Sequence, residues 1–152
     1  VSFCRVTGEA FKGFGKSDIK ELSVGETAFG IEGFKAIKGM KSLEKLNVYQ
    51  TGLVQHKSCN VFRTFPNLKT LNAGKNGIGD PGMVVFFKGH KTLEELELHD
   101  NKAITDNGLA ALIAVKTLRL LNVGGTSCGA AGGQALKAKL PECTIHTSNG
   151  TF

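Results

Sequence analysis

A short motif recurs along the chain at almost constant spacing. Five segments follow the pattern apolar-x-x-Leu-x-apolar-x-x-Thr/Asn, and they begin at Ile19, Leu43, Leu68, Leu93 and Leu118. The step from one segment to the next is about 25 residues, in the range typical of short structural repeats. The last two apolar positions of each segment alternate with other residues, as in a short β-strand with one buried face. Five copies in one register predict that the chain is built from a repeated structural unit.

Each strand motif is followed by a segment with helical spacing, such as GFKAIKGMKS and GLAALIAVKT. One strand and one helix cannot bury their apolar faces alone. The copies are therefore expected to stack into a solenoid, with parallel strands on one side and helices on the other. The helical residues predicted to face inward are Phe34, Ile37, Val61, Phe62, Phe65, Val84, Phe86, Phe87, Leu109, Leu112, Ile113, Leu136 and Leu140.

Incomplete copies of the motif occupy both ends of the chain. A shortened repeat at 1–18 is indicated by apolar residues in strand and helix register, Val1, Phe3, Phe11 and Phe14. At the other end, LPECTIHTSNGTF resembles FPNLKTLNA, with Cys143 in the position of Leu68, and predicts a last edge strand. We therefore predict a single domain over 1–152, comprising a partial repeat at 1–18, five repeats at 19–142 and a cap strand at 143–152.

The motif L-x-x-L-x-L-x-x-N/T, followed by AITDNGLAAL, resembles the leucine-rich-repeat family over essentially residues 1–147. It is most similar to the cysteine-containing and ribonuclease-inhibitor-like subclasses, whose convex side is helical. The resemblance implies an α/β solenoid shaped as a curved horseshoe, with a parallel β-sheet on its concave side and helices on its convex side. It also implies a non-enzymatic module that binds a protein partner on the concave strand face. The sequence departs from the family pattern at Ala73 and in QTGLVQHKSCN, where Val54, Gln55 and His56 replace the usual Ile-x-Asp.

A cluster of polar residues lies in LELHDNKAITDNGLAAL, residues 96–112. Asp106, like Asp80 one repeat earlier, directly precedes a helical run and is expected to cap the helix N-terminus. The spacing of the cluster does not match a calcium-binding loop. Asn101 belongs to a column of residues whose side chains are expected to hydrogen-bond the turn backbone. This column consists of Thr27, Thr51, Asn76, Asn101 and Thr126.

Three residues of the same segment, Glu95, Glu97 and His99, alternate with leucines and should point to the open side of the sheet. His99 lies in register between two glycines, so its imidazole should stand above a shallow floor near Tyr49. A Glu-x-Glu-x-His line can in principle hold a metal or relay a proton, but an open, solvated sheet favours contact with a partner. The residues predicted to contact a protein partner are Lys45, Asn47, Tyr49, Asn72, Lys75, Glu95, Glu97, His99, Asp100 and Asn122.

The chain is basic, with 19 lysines and arginines against 13 aspartates and glutamates and a net charge of +6. Many of these residues fall in the helices or in the turns after them: Lys35, Lys38, Lys41, Lys57, Arg63, Lys88, Lys91, Lys116, Lys137 and Lys139. They form either a solvated convex face or a site for an anionic partner such as RNA, DNA or lipid headgroups. A structural subunit docked into a larger complex through this face is a further alternative. Few aromatic residues lie among the lysines, which disfavours single-stranded nucleic acid.

Sequence motifs of catalysis and cofactor binding are missing. The chain has no G-x-S-x-G elbow, Walker loop, H-E-x-x-H or dinucleotide fingerprint, and GKNGIGDPG is predicted to be a strand-to-helix turn rather than a phosphate cradle. The four cysteines form no C-x-x-C pair, so we predict free, mostly buried thiols rather than a zinc site. No apolar run approaches the roughly 20 residues of a membrane span. We expect a protein without metal or cofactor, in the cytoplasm or another reducing intracellular compartment.

Overall fold

The structure, a computed structural model, describes residues 7–52 and 60–152. The strands of this part of the chain form one sheet in sequence order. They are β1 (Glu21–Ser23), β2 (Lys45–Asn47), β3 (Thr70–Asn72), β4 (Glu95–Glu97), β5 (Leu120–Val123), β6 (Thr144–Thr147) and β7 (Gly150–Thr151). The strands β1 to β6 pair in parallel, each with the next, and β7 returns antiparallel to β6. This arrangement confirms the predicted α/β solenoid with a parallel sheet.

The spacing of the sequence motif determines the register in which neighbouring strands pair. One leucine of each motif pairs with its equivalent in the next strand, which gives the column Leu22, Leu46, Leu71, Leu96, Leu121 and Ile145. All of this column except the half-buried Leu22 is buried. The second apolar column is also buried, as the strand alternation predicts, and consists of Val24, Val48, Ala73, Leu98 and Val123.

Helical segments connect successive strands and cover one side of the sheet. The α-helices are α1 (Gly30–Ile37), α2 (Asp80–Phe87), α3 (Asp106–Leu109) and α4 (Ala130–Lys139). Tighter 3₁₀ helices occupy Gly8–Phe11, Phe14–Lys16, Asn60–Thr64 and Ala110–Ala114, the last continuing α3 directly. In the described residues, no helix is long and apolar enough to cross a membrane.

Two of the predicted inward residues point outward instead. Val84 is 47% exposed and Ile113 is 36% exposed. In α2 the buried face is set by Met83, Phe86 and Phe87, at the i, i+3, i+4 spacing that leaves position 84 outside. Around Ile113 the chain is a 3₁₀ helix with three residues per turn, so every third residue faces the sheet and position 113 does not. The other inward residues named from the sequence are buried.

Phenylalanine rings join the helical side of the first repeats into one packed row. Phe11 contacts Phe29, Phe29 contacts Phe34, and Phe34 contacts Phe62, with centroids 5.0, 5.1 and 5.7 Å apart and rings nearly perpendicular. Phe62 then meets Phe86 at 5.5 Å in the same geometry. Edge-to-face contacts of this kind add to the stabilisation from burial. The row ties the shortened first repeat to the regular repeats that follow.

The Thr/Asn column forms the turns between strand and helix, as predicted. The Nδ2 group of the fully buried Asn101 donates to the carbonyl oxygens of Ala73 and Leu98, at 3.0 and 2.8 Å. Its Oδ1 accepts from the backbone N–H groups of Asn76 and Ile78, at 3.0 and 2.9 Å. One side chain therefore satisfies four backbone groups of its own and the preceding repeat. The threonines of the column each donate their hydroxyl to the carbonyl three residues earlier.

The capping role predicted for Asp80 and Asp106 is wrong in detail. The N-cap residues of α2 and α3 are Gly79 and Thr105, one position earlier. Asp80 instead accepts two hydrogen bonds from Thr105 in the next repeat, from its N–H at 2.8 Å and its hydroxyl at 2.6 Å. Asp106 accepts from the N–H of Gly129 at 2.8 Å, again one repeat on. Solenoid stacking brings the next backbone within reach, so these carboxylates link repeats while lying in the first helical turn, where negative charge is favourable.

The last repeat reaches the sheet through a shorter connection. Cys143 repeats the turn of Leu118, since the N–H of each donates to the carbonyl three residues earlier. The step from Leu121 to its partner Ile145, however, is one position shorter than the step from Leu96 to Leu121. The sequence predicts one final strand, whereas the structure has the hairpin β6–β7, with Phe152 packed against the core.

The first, shortened repeat is described only from residue 7 onward. Phe11 and Phe14 lie in short 3₁₀ helices, in agreement with their predicted place on the helical side. The predicted strand residues Val1 and Phe3 lie outside the described residues, as do Val54, Gln55 and His56.

Candidate functional site

The side of the sheet away from the helices carries three columns of outward-pointing residues, which we call the open face. The first two columns lie within the strands, and the third lies one or two residues after each strand. The backbone ladder continues there, since the N–H of Gln50 donates to Gly74 O and that of Lys75 to His99 O. The columns are Glu21, Lys45, Thr70, Glu95 and Leu120; Ser23, Asn47, Asn72, Glu97 and Asn122; and Gly25, Tyr49, Gly74, His99 and Gly124.

A stacked pair of rings stands at the centre of the open face. The imidazole of His99 and the phenol ring of Tyr49 lie with centroids 5.3 Å apart and an interplanar angle of 27°. Their strands are not neighbours, because β3 passes between them. The imidazole thus lies above a glycine floor near Tyr49, as predicted, and the structure adds that the two rings are stacked. The ring leans over the intervening repeat, and 28% of the side chain is exposed.

Gly74 is what allows the two rings to meet. A Cβ atom at this position would lie 2.8 Å from His99 Nε2 and 2.9 Å from Cε1, closer than real contacts allow. On the other side of His99, a Cβ atom at Gly124 would lie 3.2 Å from Asn122 Oδ1 and not against the imidazole. The lack of a side chain at Gly74 therefore leaves the space that the His99 ring occupies. We call the two stacked rings the Tyr49–His99 pair.

Asp100 orients the imidazole from the other side. His99 Nδ1 lies 3.1 Å from Asp100 Oδ2, within hydrogen-bond distance. Asp100 and Lys75 occupy equivalent places in successive repeats and both adopt positive φ, 61° and 53°. Their N–H groups continue the ladder by donating to Gly124 and His99 carbonyls at 2.8 and 2.9 Å. Both side chains project from the rim of the open face, where the chain turns toward the helices.

Three of the predicted contact residues have a structural task that the sequence analysis missed. The Oδ1 atoms of Asn47, Asn72 and Asn122 accept hydrogen bonds from the N–H groups two residues later, at 3.0, 3.1 and 2.9 Å. These bonds fix the backbone that carries the third column. The recurrence of asparagine at one position of the repeat is the sequence feature that indicates this structural role. These side chains form the floor of the open face as well as part of its surface.

Glu97 occupies the same place in β4 and departs from this arrangement. It pairs in register with Asn72 on one side and Asn122 on the other. Where those asparagines hold the backbone, no hydrogen bond or ion pair to the half-buried Glu97 carboxylate is formed within residues 7–52 and 60–152. Glu97 thus lacks the turn bond that the asparagines on either side of it make.

Neighbouring residues of the first column are joined in pairs by side-chain contacts. Lys45 Nζ lies 2.8 Å from Glu21 Oε1, and this hydrogen bond with Glu21 is the main reason that the pKa of Lys45 is raised. Glu95 accepts from the hydroxyl of Thr70 at 3.3 Å. A hollow of about 480 Å³ lies over β1 to β3 beside these residues, with the half-buried Leu22 in its lining. On this side of the Tyr49–His99 pair the face is therefore a hollow lined by both polar and apolar side chains.

Neither a metal centre nor a reactive thiol is evident in the described part of the chain. No three His, Cys, Asp or Glu side chains converge there as ligands. Cys128 and Cys143 are free and buried, as predicted for them. Burial raises the pKa of both thiols, that of Cys143 to about 11, so neither forms a thiolate readily. Cys4 and Cys59 lie outside the described residues.

Many of the basic residues lie in the helices or in the turns after them, as predicted, and three of them mark helix ends. Lys38 and Lys88 are the C-cap residues of α1 and α2, and Lys139 ends α4. A cation at a helix C-terminus is favoured by the helix dipole, which gives these lysines a structural reason to be there. Lys57 lies outside the described residues.

An apolar groove of about 350 Å³ also runs along the helical side, between α4 and the segment 106–114. Leu109, Ile113 and Leu136 contribute to its lining.

His90 is the buried histidine of this side. It occupies a core column otherwise filled by apolar residues, Met40, Phe65, Val115 and Leu140. Its Nε2 lies 3.2 Å from the carbonyl oxygen of Phe62, which identifies that nitrogen as the donor. Burial lowers the pKa of His90, which keeps the ring neutral. The role of this histidine is structural.

Comparison with known proteins agrees with this architecture. Two segments, 66–87 and 89–112, match the family model described as Leucine Rich repeat. No curated protein matches the sequence. Among solved structures, internalin C2 from Listeria monocytogenes strain 4b F2365 is similar in fold, with a TM-score of 0.58 and 17% sequence identity. The match covers 85% of this chain and 61% of the internalin chain, so it spans under two thirds of that structure. Residues 66–87 and 89–112 thus match leucine-rich repeats, and the chain folds as an α/β solenoid of the leucine-rich-repeat type with a parallel sheet.

Proposed function

We propose that the protein is a non-enzymatic interaction module that binds a protein partner on its open face. Leucine-rich-repeat domains typically bind proteins, and the open face is the surface of this solenoid's sheet that the described helices leave uncovered. The contact residues are the ten predicted from the sequence, with Tyr49 and His99 at their centre. The observation that carries the proposal is the Tyr49–His99 pair, stacked across a repeat that has a glycine between them.

Rigidity is the physical basis of binding at this face. The backbone below the pair is held by the strand ladder and by the asparagine side chains, at distances of 2.9 to 3.1 Å. Little conformational entropy is therefore lost when a partner docks. Aromatic rings on a pre-formed surface are among the side chains that most often dominate binding energy. Tyr49 is the sole tyrosine of the chain, and tryptophan is absent.

The test is capture of the partner by the purified protein from an extract of its source. We expect the double variant Tyr49→Ala, His99→Ala to lose at least about tenfold in captured partner, since truncated hot-spot residues commonly cost about 2 kcal/mol or more. The unfolding temperature of this variant should fall only slightly, because both side chains are half-buried on the open face and lie outside the core. Mass spectrometry identifies the protein captured by the wild type and lost from the variant.

Lys38→Ala, Lys88→Ala is the matched control, because it changes two exposed residues on the helical side. Capture by this control should equal that of the wild type. Retention of the partner by the open-face variant would contradict the proposal. Loss of the partner by the helical-side variant would instead favour the alternatives, a structural subunit or an anion binder docked through the lysines. Gel shifts with random DNA and RNA at low salt separate these two.

We also infer membership of the cysteine-containing or ribonuclease-inhibitor-like subclass. The repeat length of about 25 residues supports this inference, as do the helices α1, α2 and α4. The fully buried Cys143, which replaces the leucine of the motif in the last repeat, supports the cysteine-containing type.

A further inference from the structure

The chemistry of the partner is indicated by Glu97. In the second column of the open face Ser23 and Glu97 are not asparagine, and of these two Glu97 is the one that lies between two asparagines. In the strands on either side, an asparagine uses its Oδ1 to hold the backbone N–H of Gly74 or Gly124. Glu97 lies between them in register and makes no such bond among the described residues. The Glu97 carboxylate therefore does not stabilise the backbone after its strand, as the asparagines do after theirs. Departures from a local rule without a structural gain are expected where a protein binds something.

The charged residues around Glu97 indicate which kind of group it binds. Lys45, on the same face, is already paired with Glu21 at 2.8 Å. The hydrogen bond that Glu95 accepts comes from a neutral hydroxyl, that of Thr70 at 3.3 Å. Asp100 lies at the rim, beside His99. The carboxylates of Glu95, Glu97 and Asp100 thus lie on or beside β4, and in the described part of the chain none of them forms an ion pair with a lysine or arginine, although the whole chain has a net charge of +6.

We propose that the open face takes a basic segment of the partner protein, with an arginine side chain paired to Glu97. This inference rests on the proposed function and adds the chemical class of the docking segment. Arginine fits better than lysine because its planar guanidinium donates two parallel hydrogen bonds to one carboxylate. Glu95 is one alternate position back along the strand, about 6–7 Å away, and adds to the attraction.

The Tyr49–His99 pair supplies the second half of the recognition surface. His99 follows Glu97 by two positions, so the pair begins about 6–7 Å from the carboxylate along the strand direction. A segment whose arginine reaches Glu97 therefore lays its neighbouring side chains over the rings. Tyr49 is half-buried and offers its solvent-facing ring surface to them, and cationic or planar groups bind such faces favourably. A partner with acidic residues opposite β4 would meet the like charges of Glu95 and Glu97.

Selection from a library of random 12-residue peptides tests the proposal without knowledge of the partner. The immobilised baits are the wild type, Glu97→Gln, the double variant Tyr49→Ala, His99→Ala, and Glu94→Gln. Glu94 precedes β4 and is exposed at the strand edge, so its substitution removes the same charge next to the open face rather than on it. We expect arginine-rich peptides from the wild type and Glu94→Gln, and no arginine enrichment from Glu97→Gln.

Binding of one selected peptide then measures the contact directly. Replacing its arginine by glutamine should weaken binding to the wild type at least about tenfold, and binding to Glu97→Gln by less than about twofold. Equal weakening for both proteins would overturn the pairing with Glu97.

Selection of acidic or apolar peptides, arginine enrichment on Glu97→Gln, or no enrichment on the wild type would also overturn the proposal. These outcomes leave the proposed function standing if the Tyr49→Ala, His99→Ala variant still loses the protein captured from extract. A different result contradicts the proposed function: capture of the partner by that double variant to the same extent as by the wild type.

Discussion

His99 stacks on Tyr49 across an intervening repeat, with ring centroids 5.3 Å apart. The contact joins β4 to β2, two strands that are not neighbours in the sheet. It depends on Gly74, which follows β3, because a Cβ atom there would lie 2.8 Å from the imidazole. A repeat protein whose units contact only their neighbours through the backbone thus has a side-chain contact that spans three units.

Gly74→Ala should separate binding from stability. The added methyl group displaces the imidazole, which is the free end of a side chain, so we expect only a small loss of unfolding free energy, below about 1 kcal/mol. Capture of the partner should fall several-fold. The near-ultraviolet circular dichroism signal of the single tyrosine should change, because the ring loses its stacking neighbour.

Gly124→Ala serves as the control for this variant. It adds a methyl group on the other side of His99, where the new atom would face Asn122 Oδ1 at 3.2 Å and not the ring pair. Its tyrosine signal and its partner capture should match the wild type. An unchanged tyrosine signal in Gly74→Ala would show that the stack does not depend on the glycine.

Asp80→Ala should destabilise the fold more than Asp106→Ala. Asp80 is half-buried and accepts two hydrogen bonds from Thr105, whereas the exposed Asp106 accepts one from Gly129. Hydrogen bonds to charged groups contribute about 1.5–3 kcal/mol each when buried and less at the surface. We expect losses of about 2 and about 1 kcal/mol in urea unfolding. Equal losses of unfolding free energy would indicate that both carboxylates act mainly through the helix N-terminus and not through their bonds to the next repeat.

Acid should destabilise the protein in part through His90. Burial lowers the pKa of His90 in the folded state below its unfolded value, about 6.5. The unfolded chain then binds the proton more readily, so this contribution to the unfolding free energy is complete above pH of about 6.5 and is lost as the pH falls through the folded pKa.

His90→Met places in this column the residue found at its first position, Met40, and removes the titrating group. The decrease in unfolding free energy between about pH 7.5 and about pH 5 should be smaller in the variant than in the wild type, as measured by urea titration. Other groups titrate alike in both proteins, so the difference reports on His90. An identical decrease in both would remove His90 from the acid response.

The strand register and the core were predictable because both follow from a periodic pattern. The nearly constant step of the motif predicts which leucines align, and the sheet pairs those leucines. The helical faces were less predictable, since Val84 and Ile113 are exposed. Which residues face the sheet depends on where a helix begins and on whether it is an α-helix or a 3₁₀ helix. Asp80 and Asp106 were assigned to the wrong hydrogen bonds because a cap is a local feature, whereas their partners belong to the next repeat.

By itself the sequence determined the repeat, the solenoid class and the set of side chains on the open face, because strand alternation and a fixed period are local properties of the chain. Only the tertiary structure decided what those side chains do. Stacking of repeats places Tyr49 and His99 in contact across Gly74, binds Asn72 and Asn122 to the backbone, and leaves Glu97 between them without such a bond. These relations depend on side-chain direction and on contacts between repeats, which no pattern within one repeat contains.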